Sequence, residues 1–280
     1  MLLASWKLQY QNKTYVLSQI DADVVLNQIV ASEFNAYTTL RTFNKKYVYW
    51  LNEHFRRLQH SALVMGRNSK VDGDAMRFAL AKIMTACPDL PDYRIRIYYS
   101  FDEPYGTAYV QVHDLVTPDK TAYLEGVRCV TRTMHRNAPK AKLSQFMPKA
   151  DAIRSTLPDG IHEALMVSES GEFLEGISSN FYAVINSKVY TAEDGVLGGI
   201  VRKMVLQLID TENILCSLTP VKLGDLQDFE ETFISSSTRG VLPVVDINGQ
   251  IIGNGKPGKI TKAIMDAYTE YVMSQLEPIQ

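Results

Sequence analysis

The stretch from Glu163 to Ala192, EALMVSESGEFLEGISSNFYAVINSKVYTA, does most to narrow what this chain can fold into. Its apolar residues come in short runs, many of them aromatic or β-branched. Turn residues break the runs at Ser170-Gly171 and Asn186-Ser187. Such a pattern reads as strands joined by tight turns and excludes an all-helical fold. Two more strands are read in RIRIYYS (94–100) and TAYVQVH (107–113). The turn-rich FDEPYG between them makes a hairpin. VRCVTRTM (127–134) reads as a further strand.

Helical patterns alternate with these strands. Asn52 stands where a cap belongs, before Phe55, Leu58, Ala62 and Met65 at helical spacing. Asp74 opens a second pattern with Met76, Leu80 and Ile83, ended by Pro88 and Pro91. A helix is expected near 145–157. Gly198 and Gly199 precede another that carries Val201, Val205 and Leu208 on one face. Near the end, KITKAIMDAYTEYV repeats apolar groups at Ile260, Ile264, Ala267 and Tyr271, as a surface helix does. A chain of 280 residues exceeds one ordinary core. The polar stretch 114–126, with Pro118 and Gly126, is the natural place to divide it. We therefore expect an N-terminal domain over 1–118, a linker at 119–123 and a C-terminal domain over 124–280.

Charge and cysteine usage remove several function classes. The formal net charge is −2, so no basic excess exists to neutralise a nucleic-acid backbone. Cys87, Cys129 and Cys216 are widely spaced and form no CxxC, which argues against a disulfide framework or a zinc site. No metal is expected. The N-terminus, MLLASWKLQYQNKTY, turns polar too early for a signal peptide. No run approaches the ~20 apolar residues needed to span a bilayer. A cytoplasmic location, without membrane contact, is the expectation.

The segment HRNAPKAKLSQFMPKADAIR (135–154) places a basic cluster after a strand and leads into a helix. A lysine that forms an imine must be partly neutral near pH 7, and so must be desolvated or lie beside other positive charge. On the residues alone, Lys140, Lys142 and Lys149 all stay open. Four further segments carry chemistry-bearing patterns: NEHFRRLQHSA (52–62), FLEGISSNFYAV (173–184), GVLGGIVRK (195–203) and ETFISSSTRGVLPVVDINGQ (231–250).

Taken together, these segments make the chain, from about residue 32 to its end, resemble the fold-type IV pyridoxal-5′-phosphate (PLP) enzymes. That group contains the branched-chain and D-amino acid aminotransferases and the aminodeoxychorismate lyases. The resemblance implies an α/β N-terminal domain, a barrel-like α+β C-terminal domain and a homodimer. It selects Lys142 as the imine-forming residue, because Pro148 follows it and Pro139 precedes it in the family's register. Gln145 and Phe146 stand where the family carries Asn and Tyr. Glu175 takes the position that faces the pyridine nitrogen, where a carboxylate keeps the ring protonated and able to absorb a carbanion's electrons. Ser179 and Asn180 follow in the same cofactor-binding stretch.

For the phosphate, the resemblance implies Arg57 rather than Arg56, an arginine fork being suited to a dianion. It adds Gly199, Ile200 and Val201 at a helix start, where amides and the helix dipole favour an anion, and Ser236 and Ser237 in a turn. On the substrate side it implies Tyr37, Thr38 in place of a usual Glu, Arg96, and the turn residues Thr238 and Arg239. Two activities are compatible. One is ping-pong transamination between an amino acid and a 2-oxo acid, with Lys142 carrying the proton. The alternative is an aminodeoxychorismate lyase making 4-aminobenzoate and pyruvate, which Thr38 favours.

Overall fold

Asn12 and Lys13, both with positive φ, fold strand β1 (Leu2–Gln11) back onto β2 (Thr14–Gln19). Two-residue turns of this hand match the natural twist of a hairpin. The structure is a computed structural model and describes residues 1–21, 23, 35–101 and 106–279. The chain divides into two units. One is Met1–Val116 with Lys140–Pro148 and Ser274–Gln280; the other is Thr117–Pro139 with Lys149–Met273. The segment carrying Lys142 therefore groups with the first unit, although it lies beyond the dividing stretch read from the sequence.

The first unit continues with β3 (Asn35–Arg41), β4 (Tyr47–Tyr49), α1 (Leu51–Val64), α2 (Gly73–Ala86), β5 (Tyr93–Ser100) and β6 (Ala108–Asp114). Its sheet runs β2-β1-β6-β5-β3, and every pairing is antiparallel. The expected β5–β6 pairing forms; residues 102–105 of its turn lie outside the described residues. One helix cap differs from the sequence reading, and the second helix opens one residue before Asp74. Trp50, not Asn52, is the N-cap of α1, and the Leu51 N–H is taken instead by Glu277 Oε1 at 3.0 Å. In α2 the cap is Asp72, which accepts from the Ala75 N–H at 3.0 Å. Strand β16 (Leu276–Pro278) pairs with β4.

The second unit opens with α3 (Lys120–Glu125), which occupies the expected linker. The polar stretch is helical because Asp119 caps it, accepting from the Ala122 N–H at 2.8 Å. There follow β7 (Val127–Thr133), α4 (Phe146–Ser155, starting at the end of the first unit's segment), β8 (Ile161–Val167), β9 (Phe173–Gly176), β10 (Asn180–Ile185) and β11 (Lys188–Tyr190). Then come α5 (Ile200–Thr211), β12 (Cys216–Ser217), β13 (Glu231–Ser236), β14 (Gly240–Ile247), β15 (Gln250–Ile251) and α6 (Lys259–Ser274). The strands pair in the order β10-β13-β14-β7-β8-β9, and β9 returns to β10 through Asn180↔Glu175. The ring is thus a closed barrel, with β7 parallel to both of its neighbours.

Inside it, Phe173 and Phe181 stack at 4.7 Å among Leu165, Leu242 and Ile247. Each such side chain contributes about 1.5–3 kcal/mol on burial. Helix α6 buries Thr261, Ile264, Tyr268 and Val272, a stripe rotated from the expected Ile260, Ile264, Ala267 and Tyr271. Ile264 is common to both stripes and Ile260, Ala267 and Tyr271 are half-buried beside it; the Glu231 carboxylate accepts from the Ile260 and Thr261 N–H groups in the first turn. All three cysteines are free thiols. Among the described residues, no helix is long and apolar enough to cross a membrane, and no His/Cys/Asp/Glu group could hold a metal.

Gly126, which ends α3, has φ 84° and ψ 170°, a region only glycine adopts readily. A Cβ there would also collide with Val245. Gly126→Ala should therefore cost about 1–3 kcal/mol. Gly160→Ala meets open space at a φ of +77° and should cost less. Urea denaturation of the two variants beside the parent protein measures both.

Candidate active site

In the first unit, the main chain of Lys142 is clamped at both ends. Its N–H donates to Ser61 Oγ at 3.1 Å, and its carbonyl accepts from the Tyr37 N–H at 2.9 Å. Ser61 lies four residues after Arg57 on α1, and its hydroxyl donates to the Arg57 carbonyl at 2.9 Å. One buried hydroxyl therefore joins the lysine to the helix turn that presents Arg57. The Lys142 Nζ lies 4.8 Å from the centre of the Tyr37 ring. Lys142 is half-buried, whereas Lys140 and Lys149 are exposed. The helix separates the two arginines in the same way: Arg57 is half-buried, while Arg56 is exposed and pairs with Glu53.

Tyr37 and Thr38 point to opposite sides of β3, as neighbours in a strand must. Tyr37 stacks on Tyr98, its partner across the sheet, at 6.1 Å. Arg96 stands opposite Thr39 on the same face, half-buried, with its Nε unpartnered among the described groups. Thr38 is fully buried and hydrogen-bonds His54 Nδ1 at 2.7 Å. Its side chain is committed to α1 and not to the face that carries Tyr37. Burial pushes His54 well below the usual imidazole range, and the positive charges of Arg57 and Lys142 push it the same way.

In the second unit, Glu175 sits at the rung that closes the barrel. Its Oε1 accepts from Arg136 Nε at 2.7 Å, with 5% of the arginine side chain and 2% of the glutamate side chain exposed. Its Oε2 accepts from Asn180 Nδ2 and from the Leu197 N–H, both at 3.2 Å. Asn180 also donates to the Leu197 carbonyl at 2.8 Å. Asn180 thus holds the carboxylate and the 197 turn together. Ser179, expected among the cofactor ligands, donates its hydroxyl to Glu163 Oε2 at 3.0 Å instead.

The 197 turn leads into α5, whose N-cap is Gly199, a residue with no side chain to satisfy the free amides. The Gly199 N–H itself donates to the Leu197 carbonyl, and the first intrahelical bond runs from the Lys203 N–H to the Gly199 carbonyl, which leaves Ile200, Val201 and Arg202 as the first-turn amides ahead of it. A Cβ at Gly199 would strike Asn180 Oδ1, whereas one at Gly198 would meet nothing. The helix start is therefore packed on one side and open at Gly198. Across the barrel wall, Ser235 pairs with Asn180, and Ser236, Ser237 and Thr238 follow half-buried in the β13–β14 turn. Within the second unit, helix-start amides and serine hydroxyls are donors suited to a phosphate dianion, and Glu175 suits a pyridinium; in the first unit, Arg57 is an arginine fork of the kind that suits a phosphate. The residues present fit pyridoxal phosphate.

Arg239, expected to face a substrate carboxylate, is occupied by the protein. It bonds Glu163 Oε2 at 2.7 Å, Ser236 Oγ at 2.9 Å and Ser178 Oγ at 3.0 Å. Glu163 also accepts from the Ser178 N–H at 2.6 Å and the Ser178 hydroxyl at 2.8 Å. Burial works to raise the Glu163 pKa, but Arg239 and Ser178 outweigh it and hold the carboxyl below its ordinary range. Ser61, His54, Arg136 and Glu163 were not singled out from the sequence. Ser61 had a usable signal, its spacing from Arg57 on one helix. Arg136 and Glu163 had none, since their partners lie 39 and 76 residues away.

The second unit is a closed barrel with a carboxylate at its closing rung and an uncapped helix start beside it, the first unit holds a clamped lysine, and the fold is that of the fold-type IV class of PLP enzymes. The amino-transferase class IV family model matches residues 35–247, and the chain belongs to that family. D-alanine aminotransferase of Bacillus licheniformis is 27% identical over 257 residues, 85% of this chain and 88% of that protein. A putative branched-chain-amino-acid aminotransferase of Methanocaldococcus jannaschii is 28% identical over 154 residues, 52% of this chain and 53% of that protein. The fold matches branched-chain aminotransferase from Thermoproteus uzoniensis with norvaline (TM-score 0.80, 19% identity, 100% of both chains). It equally matches the T.th. branched-chain amino acid aminotransferase with pyridoxamine 5′-phosphate (TM-score 0.81, 19% identity, 100% of this chain and 99% of that one). The chain is an aminotransferase of class IV; these findings support that reading and not the lyase alternative.

The His54 environment has a pH consequence. The folded protein keeps His54 neutral, while the unfolded chain takes up a proton there below about 6.5. The unfolded state then binds more protons, so this group removes stability as pH falls below ~6.5, by at most ~1.4 kcal/mol per pH unit. His54→Gln keeps a partner for Thr38 but cannot titrate. Urea midpoints taken at neutral pH and again below the histidine range should show a smaller acid-side loss in the variant than in the parent.

Proposed function

We propose that this chain uses pyridoxal 5′-phosphate to move an amino group between an amino acid and a 2-oxo acid in two half-reactions, as a homodimer in the cytoplasm. The observation that carries the reading is the setting of Lys142, the half-buried member of its lysine cluster, fixed through Ser61 to the turn of Arg57. When bound, the cofactor ring supplies the electron sink that lets the substrate Cα proton leave. Lys142 Nζ takes that proton as general base and returns it as general acid. Glu175, anchored by Arg136 and Asn180, presents its carboxylate to the ring nitrogen. Arg57, the amides of Ile200 and Val201, and the hydroxyls of Ser236 and Ser237 hold the phosphate. Tyr37 and Arg96 share one sheet face, and Arg96 takes the substrate carboxylate by a planar two-point contact that lysine could not copy.

Borohydride reduction of the loaded enzyme followed by peptide mapping should place the pyridoxyl group on Lys142. Lys142→Ala should lose the label and nearly all turnover, and Lys140→Ala should keep both. Label on Lys140 or Lys149 would refute the assignment. Half-reactions with a panel of D- and L-amino acids identify the substrate, since relatives carry the names of both D-alanine and branched-chain enzymes. Arg96→Ala should raise KM for the preferred substrate by ~10–100-fold, the loss expected for a charge-assisted bond.

A further inference from the structure

We propose that Arg239 is a positioning residue for the cofactor phosphate: clasped by Glu163, it directs the Ser236 hydroxyl hydrogen toward the phosphate, and it does not bind substrate. The inference rests on the proposed role of the Ser236–Thr238 turn. It begins with hydrogen accounting. Arg239 Nε–H donates to Ser236 Oγ at 2.9 Å. A hydroxyl that accepts from a guanidinium keeps its single hydrogen free to donate, and the arginine fixes the direction in which that hydrogen can lie. Ser178 and Ser179 differ, since both hydroxyls donate to Glu163. Of these three serines, Ser236 is the one that accepts from the guanidinium without donating to Glu163, so its hydrogen stays available to an anion.

The same guanidinium is held from three more directions. Its Nη1 donates to Glu163 Oε2 at 2.7 Å and lies 3.1 Å from His162 Nε2. Its Nη2 donates to Ser178 Oγ at 3.0 Å and to the Ser178 carbonyl at 3.3 Å. Glu163 is buried on β8 and also grips the 176–179 turn, where a Cβ at Gly176 would collide with Ser179 Oγ. The Tyr123 hydroxyl donates to the Arg239 carbonyl at 2.7 Å and fixes the main chain as well. A side chain this committed cannot swing out to a substrate carboxylate without leaving Glu163 as a buried unpaired charge. The clasp therefore links the turn after Glu175 to the turn that carries Ser236, so ring and phosphate contacts share one brace.

The test compares PLP with pyridoxal, which lacks the phosphate, in binding to the full-length protein stripped of cofactor. The ratio of their affinities isolates the phosphate contacts. In Arg239→Met and in Ser236→Ala this ratio should fall ~10–100-fold, the size of one lost charge-assisted bond, with pyridoxal binding little changed. The double variant should be no worse than the worse single one, because the two residues act as a unit. In Arg239→Met, amino-acid KM at saturating cofactor should stay within about twofold of the parent. Should Arg239→Met fail to fold, Arg239→Lys keeps a charge for Glu163 but cannot reach Ser236 as well, and the same fall in ratio is expected. An unchanged ratio, or additive losses in the double variant, would overturn the proposal. A raised KM with an unchanged ratio would return Arg239 to the substrate. A parent protein with no preference for PLP over pyridoxal and no borohydride-fixed label would instead overturn the cofactor reading on which the proposal stands.

Discussion

The second unit closes on a single rung, Asn180 against Glu175, and much else in that unit depends on this pairing. A barrel has no free sheet edge once its last strand pair forms. Here the last pair is also where the carboxylate is fixed. Asn180 completes the ladder with its backbone and uses its side chain to hold Glu175 and the Leu197 carbonyl. The start of α5 is positioned by that contact, since Gly199 packs directly on Asn180. The backbone closure and the layout of the polar groups are therefore one constraint.

Two ion pairs flank the rung, the buried Arg136–Glu175 and Arg239–Glu163, in which the glutamate is buried and the arginine half-buried. Buried pairs are not a general source of stability, because desolvation offsets most of the Coulomb gain. Their effect is geometric. Removing one partner strands a charge, at a typical loss of about 3–5 kcal/mol, so each pair resists rearrangement of the turns it joins. The turn after Glu175, Gly176-Ile177-Ser178-Ser179, is short and rich in Ser and Gly, and would otherwise allow many conformations. The pairs select one of them.

Local patterns in the sequence were enough to find β5 to β11, the turns at Asn186-Ser187 and Gly171, and the helix after Gly199, but not the N-terminal strands β1 to β4. Periodicity and turn chemistry act over a few residues and are written in the chain. The lysine was legible only through resemblance, because three lysines fitted the local chemistry equally well; in the structure, burial and the Ser61 bond set Lys142 apart. What could not be read were choices made by distant partners. Trp50 rather than Asn52 caps α1, with Glu277 accepting from the Leu51 amide, and Glu231 accepts from the first-turn amides of α6. Thr38 bonds His54 and Arg239 bonds Glu163, partners that lie far away in the chain and carry no local signal. A side chain's type is visible in sequence, whereas the group it will meet across the fold is not.

The last residues of the chain have a consequence for its synthesis. Strand β16 pairs with β4, Glu277 receives the first amide of α1 and the guanidinium of Arg77, and Ile279 is buried with its N–H on the Lys46 carbonyl. The first unit therefore cannot be completed when its own N-terminal stretch leaves the ribosome. It waits for the whole second unit to be translated. At synthesis rates of roughly 5–20 residues per second, Tyr47–Tyr49 and the start of α1 stay unfinished for on the order of ten seconds or more. During that interval a nascent chain exposes an open strand edge and an uncapped helix, the features by which chaperones and unwanted neighbours recognise incomplete proteins.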